Sequence, residues 1–179
     1  MKLDLGSGPR PKDGFKGVDI VPGVTDYTFN LCSGKRWPFE DNSVEELNSS
    51  HFIEHISNVY VTTPDGIKDA LFHFFDEAYR IIVPGGTFTV QWPALQSVRA
   101  FQDPTHRRYI PHTTIAYLSK QGRIDMGVDH YNVNCDWSGT CSPTISNEEA
   151  LRSDEVQAKR FTELWNVAID YVAVLKAVK

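Results

Sequence analysis

The stretch Leu3-Asp4-Leu5-Gly6-Ser7-Gly8-Pro9 (LDLGSGP) decides how the rest of the chain is read. Residues 2–5 alternate in polarity and run into GSGPRP, which predicts a short strand ending in a tight bend. Glycine turns sharply and lets a ligand approach with no Cβ in the way. In an open α/β sheet, ligands bind off the C-terminal strand ends where the chain order reverses. Working outward, KGVDI (16–20) predicts a second strand with Asp19 at its tip. A carboxylate there can accept hydrogen bonds from both hydroxyls of a ribose. The bend is not a dinucleotide fingerprint. That motif wants a third glycine where Pro11 stands, and an acid about 20 residues on, whereas Asp19 follows Gly8 by eleven positions. Pro9 and Pro11 also lack the N–H donors a phosphate needs. The residues suit a phosphate-free nucleoside; the plainer alternative is a tight turn with a surface acid.

Beyond the second strand, VTDYTFNL (24–31) predicts a third. VEELNSS (44–50) is a weaker strand candidate, polar for a central position. In GIKDALFHFFDEAYRIIVPGG, the apolar spacing of Ile67, Ala70, Leu71, Phe74, Phe75, Ala78, Ile81 and Ile82 predicts an amphipathic helix. Asp65 or Thr63 is expected to cap it and Pro84-Gly85-Gly86 to stop it, with Phe72, Phe74 and Phe75 as core. TFTVQW (87–92) predicts a strand. Residues 94–146 are irregular, with HYNVNCDW (130–137) as a strand candidate. Residues 147–165 predict a helix, with Ser146 as N-cap and Glu148 and Glu149 in the first turn. NVAIDYVAVLKAV (166–178) is expected to end the sheet. The layout is α/β, mainly parallel with an antiparallel end.

The chain has 179 residues, which suits a single domain over 1–179. The net charge of -5 argues against a nucleic-acid partner, which would need a basic face. The apolar runs are too short for a bilayer, and Met1-Lys2 leads straight into LDLGSG with no signal-peptide core, so no membrane partner is expected. The three cysteines, Cys32, Cys135 and Cys141, read as reduced thiols of a cytoplasmic protein; a Cys135–Cys141 bridge would require export.

HFIEH (51–55) matches H-x-x-E-H, a zinc pattern when carried on a helix, and would make the chain a zinc hydrolase through His51, Glu54 and His55. That reading needs a continuous helix and a third ligand downstream. Thr62, Thr63 and Pro64 oppose a long helix, so no metal is expected and Glu54 and His55 are assigned local hydrogen bonds.

Taken in order, LDLGSG, VDI, WPFEDNSVEEL, HFIEHI and AYRIIVPGGTFTVQWP resemble the motif series of class I S-adenosylmethionine-dependent methyltransferases, over about residues 2–93. The resemblance implies a Rossmann-like, doubly wound, mainly parallel seven-stranded sheet with an antiparallel C-terminal strand and helices on both faces. It also implies S-adenosyl-L-methionine at the strand tips. Carried over by position, Asp4, Gly6, Ser7 and Gly8 would line the methionine part, Asp19 would hold the ribose and Ile20 would flank the adenine. Asn30 stands where the family often has an aspartate facing the adenine, with Leu31 beside it; Ser50 and His51 would follow strand four.

The chain also departs from that pattern. Only residues 6–16 link the first two strands, so the first crossover is shortened and its helix reduced or absent. The 94–146 segment is expected to be an acceptor or lid insertion; otherwise a partner subunit, in a homo-oligomer, covers the cofactor. Within DPTHRRYIPH, His106 is the candidate general base, Arg107 and Arg108 could hold an acidic acceptor, and Tyr109 could stack. His73 and His112 read as structural or solvated, and Asp103-Pro104 as a turn. The expected activity is methyl transfer to a small-molecule, sugar or protein acceptor. The alternative is a non-catalytic nucleoside-binding protein on the same scaffold.

Overall fold

The computed structural model describes residues 1–179. Its main sheet is built from β1 (Lys2–Leu5), β2 (Lys16–Asp19), β3 (Tyr27–Thr28), β4 (Val44–Ser50), β7 (Ile82–Pro93), β8 (Trp137–Pro143) and β9 (Asp170–Ala177). A separate hairpin pairs β5 (Tyr60–Thr63) with β6 (Gly66–Asp69), and α1 (Ala70–Ile81) follows it. The seven strands lie in the order β3-β2-β1-β4-β7-β9-β8. All pairs from β3 to β7 are parallel; β9 runs antiparallel to both β7 and β8. This is the expected Rossmann-like α/β sheet with its antiparallel C-terminal strand. The order reverses at β1, which places a switch point between β1 and β4.

Strand alternation divides the sheet into an apolar and a polar face. Registers align Leu3 with Leu47 and Phe88 with Leu175, while Val90 pairs with Ala173. These side chains are buried beneath Leu71, Phe74 and Phe75 of α1. Full burial of each large apolar side chain contributes about 1.5–3 kcal/mol, so this one face carries most of the stabilisation. Ile110, Leu118, Val133 and Cys135 from the irregular segment join the same core. The other face presents Lys2, Glu46, Thr87, Thr89, Thr140, Val174 and Lys176. Over β7, β9 and β8 it lies open to solvent.

Helices therefore cover one face, not both. The connections explain it: residues 6–15 and 20–26 are too short to carry crossover helices, and 29–43, though long enough, runs as turns alone. It also explains the polarity of VEELNSS, which is a full central strand whose Glu46 and Asn48 face the helix-free side.

Several boundaries differ from expectation. The predicted helix starts later, at Ala70, with Asp69 as N-cap accepting from the Leu71 N–H at 2.8 Å. Neither Asp65 nor Thr63 caps it; they sit at the hairpin turn, and Ile67 is 69% exposed. The β-branched run YVTT favours a strand, and Pro64-Asp65 closes a two-residue turn ahead of Gly66 at φ 106. The helix ends at Ile81, before Pro84-Gly85-Gly86, which falls at a register irregularity opposite β4. The third strand shrinks to Tyr27–Thr28 because Asp26 and Asn30 turn their side chains onto backbone N–H groups. Of HYNVNCDW only Trp137 lies in a strand, opening β8; Asp76 of α1 accepts from the N–H groups of Asn134 and Cys135 and holds the residues before it off the sheet. The 147–165 helix splits into α2 (Asn147–Ala150) and α3 (Asp154–Glu163); Ser146 does cap the first, accepting from Glu149 at 3.1 Å. All three cysteines are free thiols, and no helix is long and apolar enough to cross a membrane.

Candidate functional site

The chain's chemistry gathers where β1, β2, β3 and β4 end. Gly6 bends the backbone at φ 73, and its N–H and that of Ser7 donate to the Val18 carbonyl at 2.8 and 3.3 Å. Gly8 donates to Asp19 Oδ2 at 2.9 Å, and Val21 to Asp19 Oδ1 at 3.1 Å. Asp19 thus closes the bend and keeps lone pairs free on both oxygens. Beside it lies a cleft of about 380 Å³, lined by Ile20, Asn30, Leu31, Cys32, Phe52 and His55 among others. Its size falls in the usual range for small-molecule sites. Larger hollows of about 530 and 610 Å³ flank β8 at the far edge of the sheet. They lie away from the switch point, and location decides over size.

The sequence-predicted residues divide into groups. Ile20, Asn30 and Leu31 line the cleft, and Gly6, Ser7, Gly8 and Asp19 form the adjoining bend. Asn30 Oδ1 already accepts from the Cys32 N–H at 2.8 Å. Asp4 is buried on the polar sheet face, accepting from the Lys12 N–H and Asn48 Nδ2, each at 2.8 Å. Ser50 is exposed on that same face, opposite Gln91. His51 lies at the end of β4 with φ 53, a left-handed conformation uncommon for a residue with a Cβ.

Around His51 sits a polar cluster drawn from three parts of the chain. His51 Nδ1 is 3.4 Å from Glu54 Oε1, and His51 Nε2 is 3.6 Å from Asp170 Oδ2. Asp170 Oδ2 also accepts from Gln91 Nε2 and Arg99. The residues after β7 enter from the other side. The Glu54 carbonyl accepts from the N–H groups of Arg107 and Arg108, which seats 103–108 on the 53–58 segment. His106 packs edge-on against His55, with ring centroids 4.8 Å apart. The His106 side chain is 7% exposed, and its Nε2 is 3.9 Å from Glu54 Oε1. Arg108 is committed to the Ile56 and Ser57 carbonyls and to Asp69, and Tyr109 stacks on Phe101. Arg107 reaches only the Pro104 carbonyl through its side chain.

Sequence reasoning missed three participants. Phe52 lays its ring over Gly6, so that a Cβ there would meet it at 2.1 Å. Cys32 lines the cleft, and burial pushes its thiol up to about 12. Asp170 is buried in the cluster. The available signal was the lone acid in NVAIDYVAV, an expensive residue in a buried strand unless it has partners.

No protein-family model and no curated protein matches the chain. Solved structures do. An S-adenosylmethionine-dependent methyltransferase from Archaeoglobus fulgidus aligns with a TM-score of 0.60 at 17% identity, covering 98% of this chain and 85% of that one. A putative methyltransferase from Haloferax volcanii, solved with the Trm112 activator, gives 0.56 at 16%, covering 99% and 82%. A methyltransferase from Mesorhizobium loti gives 0.55 at 11%, covering 98% and 89%. At such identities the likeness speaks for the fold, which is that of the class I S-adenosylmethionine-dependent methyltransferases.

Proposed function

We propose that the protein binds S-adenosyl-L-methionine and transfers its methyl group to a small-molecule, sugar or protein acceptor. The observation that carries this reading is the cleft at the strand tips, with Asp19 at its edge. Its apolar lining of Ile20, Leu31 and Phe52, with Asn30 among its polar groups, suits a purine. The bend beside it offers no phosphate cradle, because Gly8 spends its N–H on Asp19 and Pro9 has none. The residues present therefore fit the nucleoside end of the cofactor. Asp19 would take the ribose hydroxyls, and Asn30 the adenine amino group through the second lone pair of its amide oxygen. The Phe52 ring, lying over Gly6, offers a π face to a positively charged arm.

When bound, the cofactor supplies a methyl group already activated by the sulfonium. The protein's task is then chiefly alignment. His51, one-third exposed between Glu54 and Asp170, is the group placed to take a proton from an acceptor; the candidate base His106 is 7% exposed behind Glu54. The 103–109 loop, seated against His55, forms the acceptor side of the site in this reading.

Calorimetric titration with S-adenosylhomocysteine tests the cofactor assignment. One-site binding that is lost when Ile20→Asp places a charge in the cleft supports it; no binding, or binding indifferent to that change, overturns it. Transfer of labelled methyl to extracted small molecules and proteins then separates the enzyme from a binding protein, which would bind without turnover.

A further inference from the structure

We propose that Glu54, His55 and His106 form a binding site for a divalent transition-metal cation, of the zinc, manganese or cobalt type. Glu54 is 2% exposed, and neither of its carboxylate oxygens has a hydrogen-bond partner. The nearest imidazole, His51, holds Nδ1 3.4 Å from Oε1 without making a hydrogen bond, and a buried charge lacking hydrogen bonds is costly. His55 and His106 do not relieve it. His106 Nδ1 lies 2.8 Å from the Ala100 carbonyl, which can only accept, so the ring proton is on Nδ1 and Nε2 presents a lone pair. Thr105 donates its single hydroxyl proton to Asp103 at 2.7 Å, so His55 Nδ1, 3.0 Å from the same hydroxyl, must be the donor there. His55 Nε2 is then also a bare acceptor.

Three acceptor groups thus converge with no donor among them. Their ligating atoms all lie within 4.8 Å of one another. A cation bonded at about 2.0–2.2 Å to each needs the side chains to close by roughly half an ångström. The Nδ1–H of each imidazole is pinned to an oxygen, which is how metal-bound histidines are usually oriented. Two imidazole nitrogens and one carboxylate favour a borderline transition ion over calcium or magnesium, which prefer all-oxygen shells. The sequence reading set a metal aside because one helix could not carry the ligands. The fold instead brings His106 in from beyond β7 to meet Glu54 and His55. Three protein ligands leave a coordination position open, and His55 borders the cleft. If the methyltransferase reading holds, on which this last step rests, that position would polarise an acceptor oxygen.

The test uses metal alone, so it stands apart from methyl transfer. Chelator-treated protein is titrated with zinc chloride by calorimetry and with cobalt chloride by visible absorption. The expected result is one saturable site per chain, a cobalt d–d spectrum of imidazole-carboxylate type and a zinc-induced rise in Tm. Glu54→Gln and His55→Ala should each weaken zinc at least about 10-fold, while the exposed His130→Ala binds as wild type. Metal-free Glu54→Gln should also melt higher than metal-free wild type, because its amide donates where the carboxylate cannot. Should Glu54→Gln fail to fold, the partly exposed His55→Ala carries the comparison. Absence of saturable binding, or binding equal in wild type and His55→Ala, overturns the proposal.

Discussion

Gly8 donates its N–H to Asp19 Oδ2 at 2.9 Å, tying the bend after β1 to the tip of β2. One carboxylate thus serves two purposes in the proposed site, shaping the loop and taking the ribose hydroxyls. Asp19→Ala should lose a charge-assisted hydrogen bond worth about 1.5–3 kcal/mol to a bound nucleoside, and some stability with it. Asp19→Asn keeps one acceptor oxygen and should fall between the two. Titration with S-adenosylhomocysteine alongside urea unfolding separates the effects; unchanged affinity in Asp19→Ala would remove the residue from the site.

Gly6 should be intolerant of any side chain. Its φ of 73 strains a residue with a Cβ, and the Cβ would stand 2.1–2.7 Å from three Phe52 atoms. Gly6→Ala is expected to cost about 2–4 kcal/mol, from backbone strain and overpacking together. Adding Phe52→Ala, which removes Cγ and Cδ2 and leaves only the Cβ at 2.7 Å, should return part of that loss. Equal destabilisation with and without the second change would show that the ring plays no part.

Lys68 and Asp76 form a buried ion pair between β6 and α1, and Asp76 also accepts from the N–H groups of Asn134 and Cys135. Asp76→Ala strands a buried ammonium and two donors, and should cost about 3–5 kcal/mol. Lys68→Met leaves Asp76 with its two N–H partners and should cost less. Chemical denaturation gives both values, and the reverse ranking would refute the account.

Burial raises the Cys32 thiol from 9.0 to about 12 and the Cys141 thiol to about 11. In each case the folded state holds its proton to higher pH than the unfolded chain does. Stability from this source is whole below about pH 8.5 and is lost as pH rises toward the folded values, because there the unfolded state binds fewer protons. Tm should fall between pH 8.5 and 10.5, and Cys32→Ala should flatten that fall. A wild-type curve flat across the interval would contradict it.

The strands β1, β2, β4, β7 and β9 were legible because their determinants are local. GSG after a polar-apolar alternation, and an apolar, β-branched C-terminus, mark strand ends without reference to anything distant. Helix α1 was legible from Leu71 to Ile81, but its start was not, because Ile67 fits the helical stripe while actually lying exposed in a hairpin. The bend followed from GSG after a strand, whereas Ile20, Asn30 and Leu31, which line the cleft, were picked out by the family resemblance. The Glu54–His106 approach could not, since 52 positions separate the two and only the packing of 103–108 against 53–58 joins them.

The uncovered side of the sheet has a practical consequence. Thr87, Thr89 and Thr140 point outward from rigid, hydrogen-bonded strands, with their neighbours Leu47, Phe88 and Leu175 anchoring the opposite side. A fluorophore or spin label attached there would be held by stiff backbone yet touch none of the hydrophobic interior, giving a fixed reference from which to measure motion of the 103–109 loop.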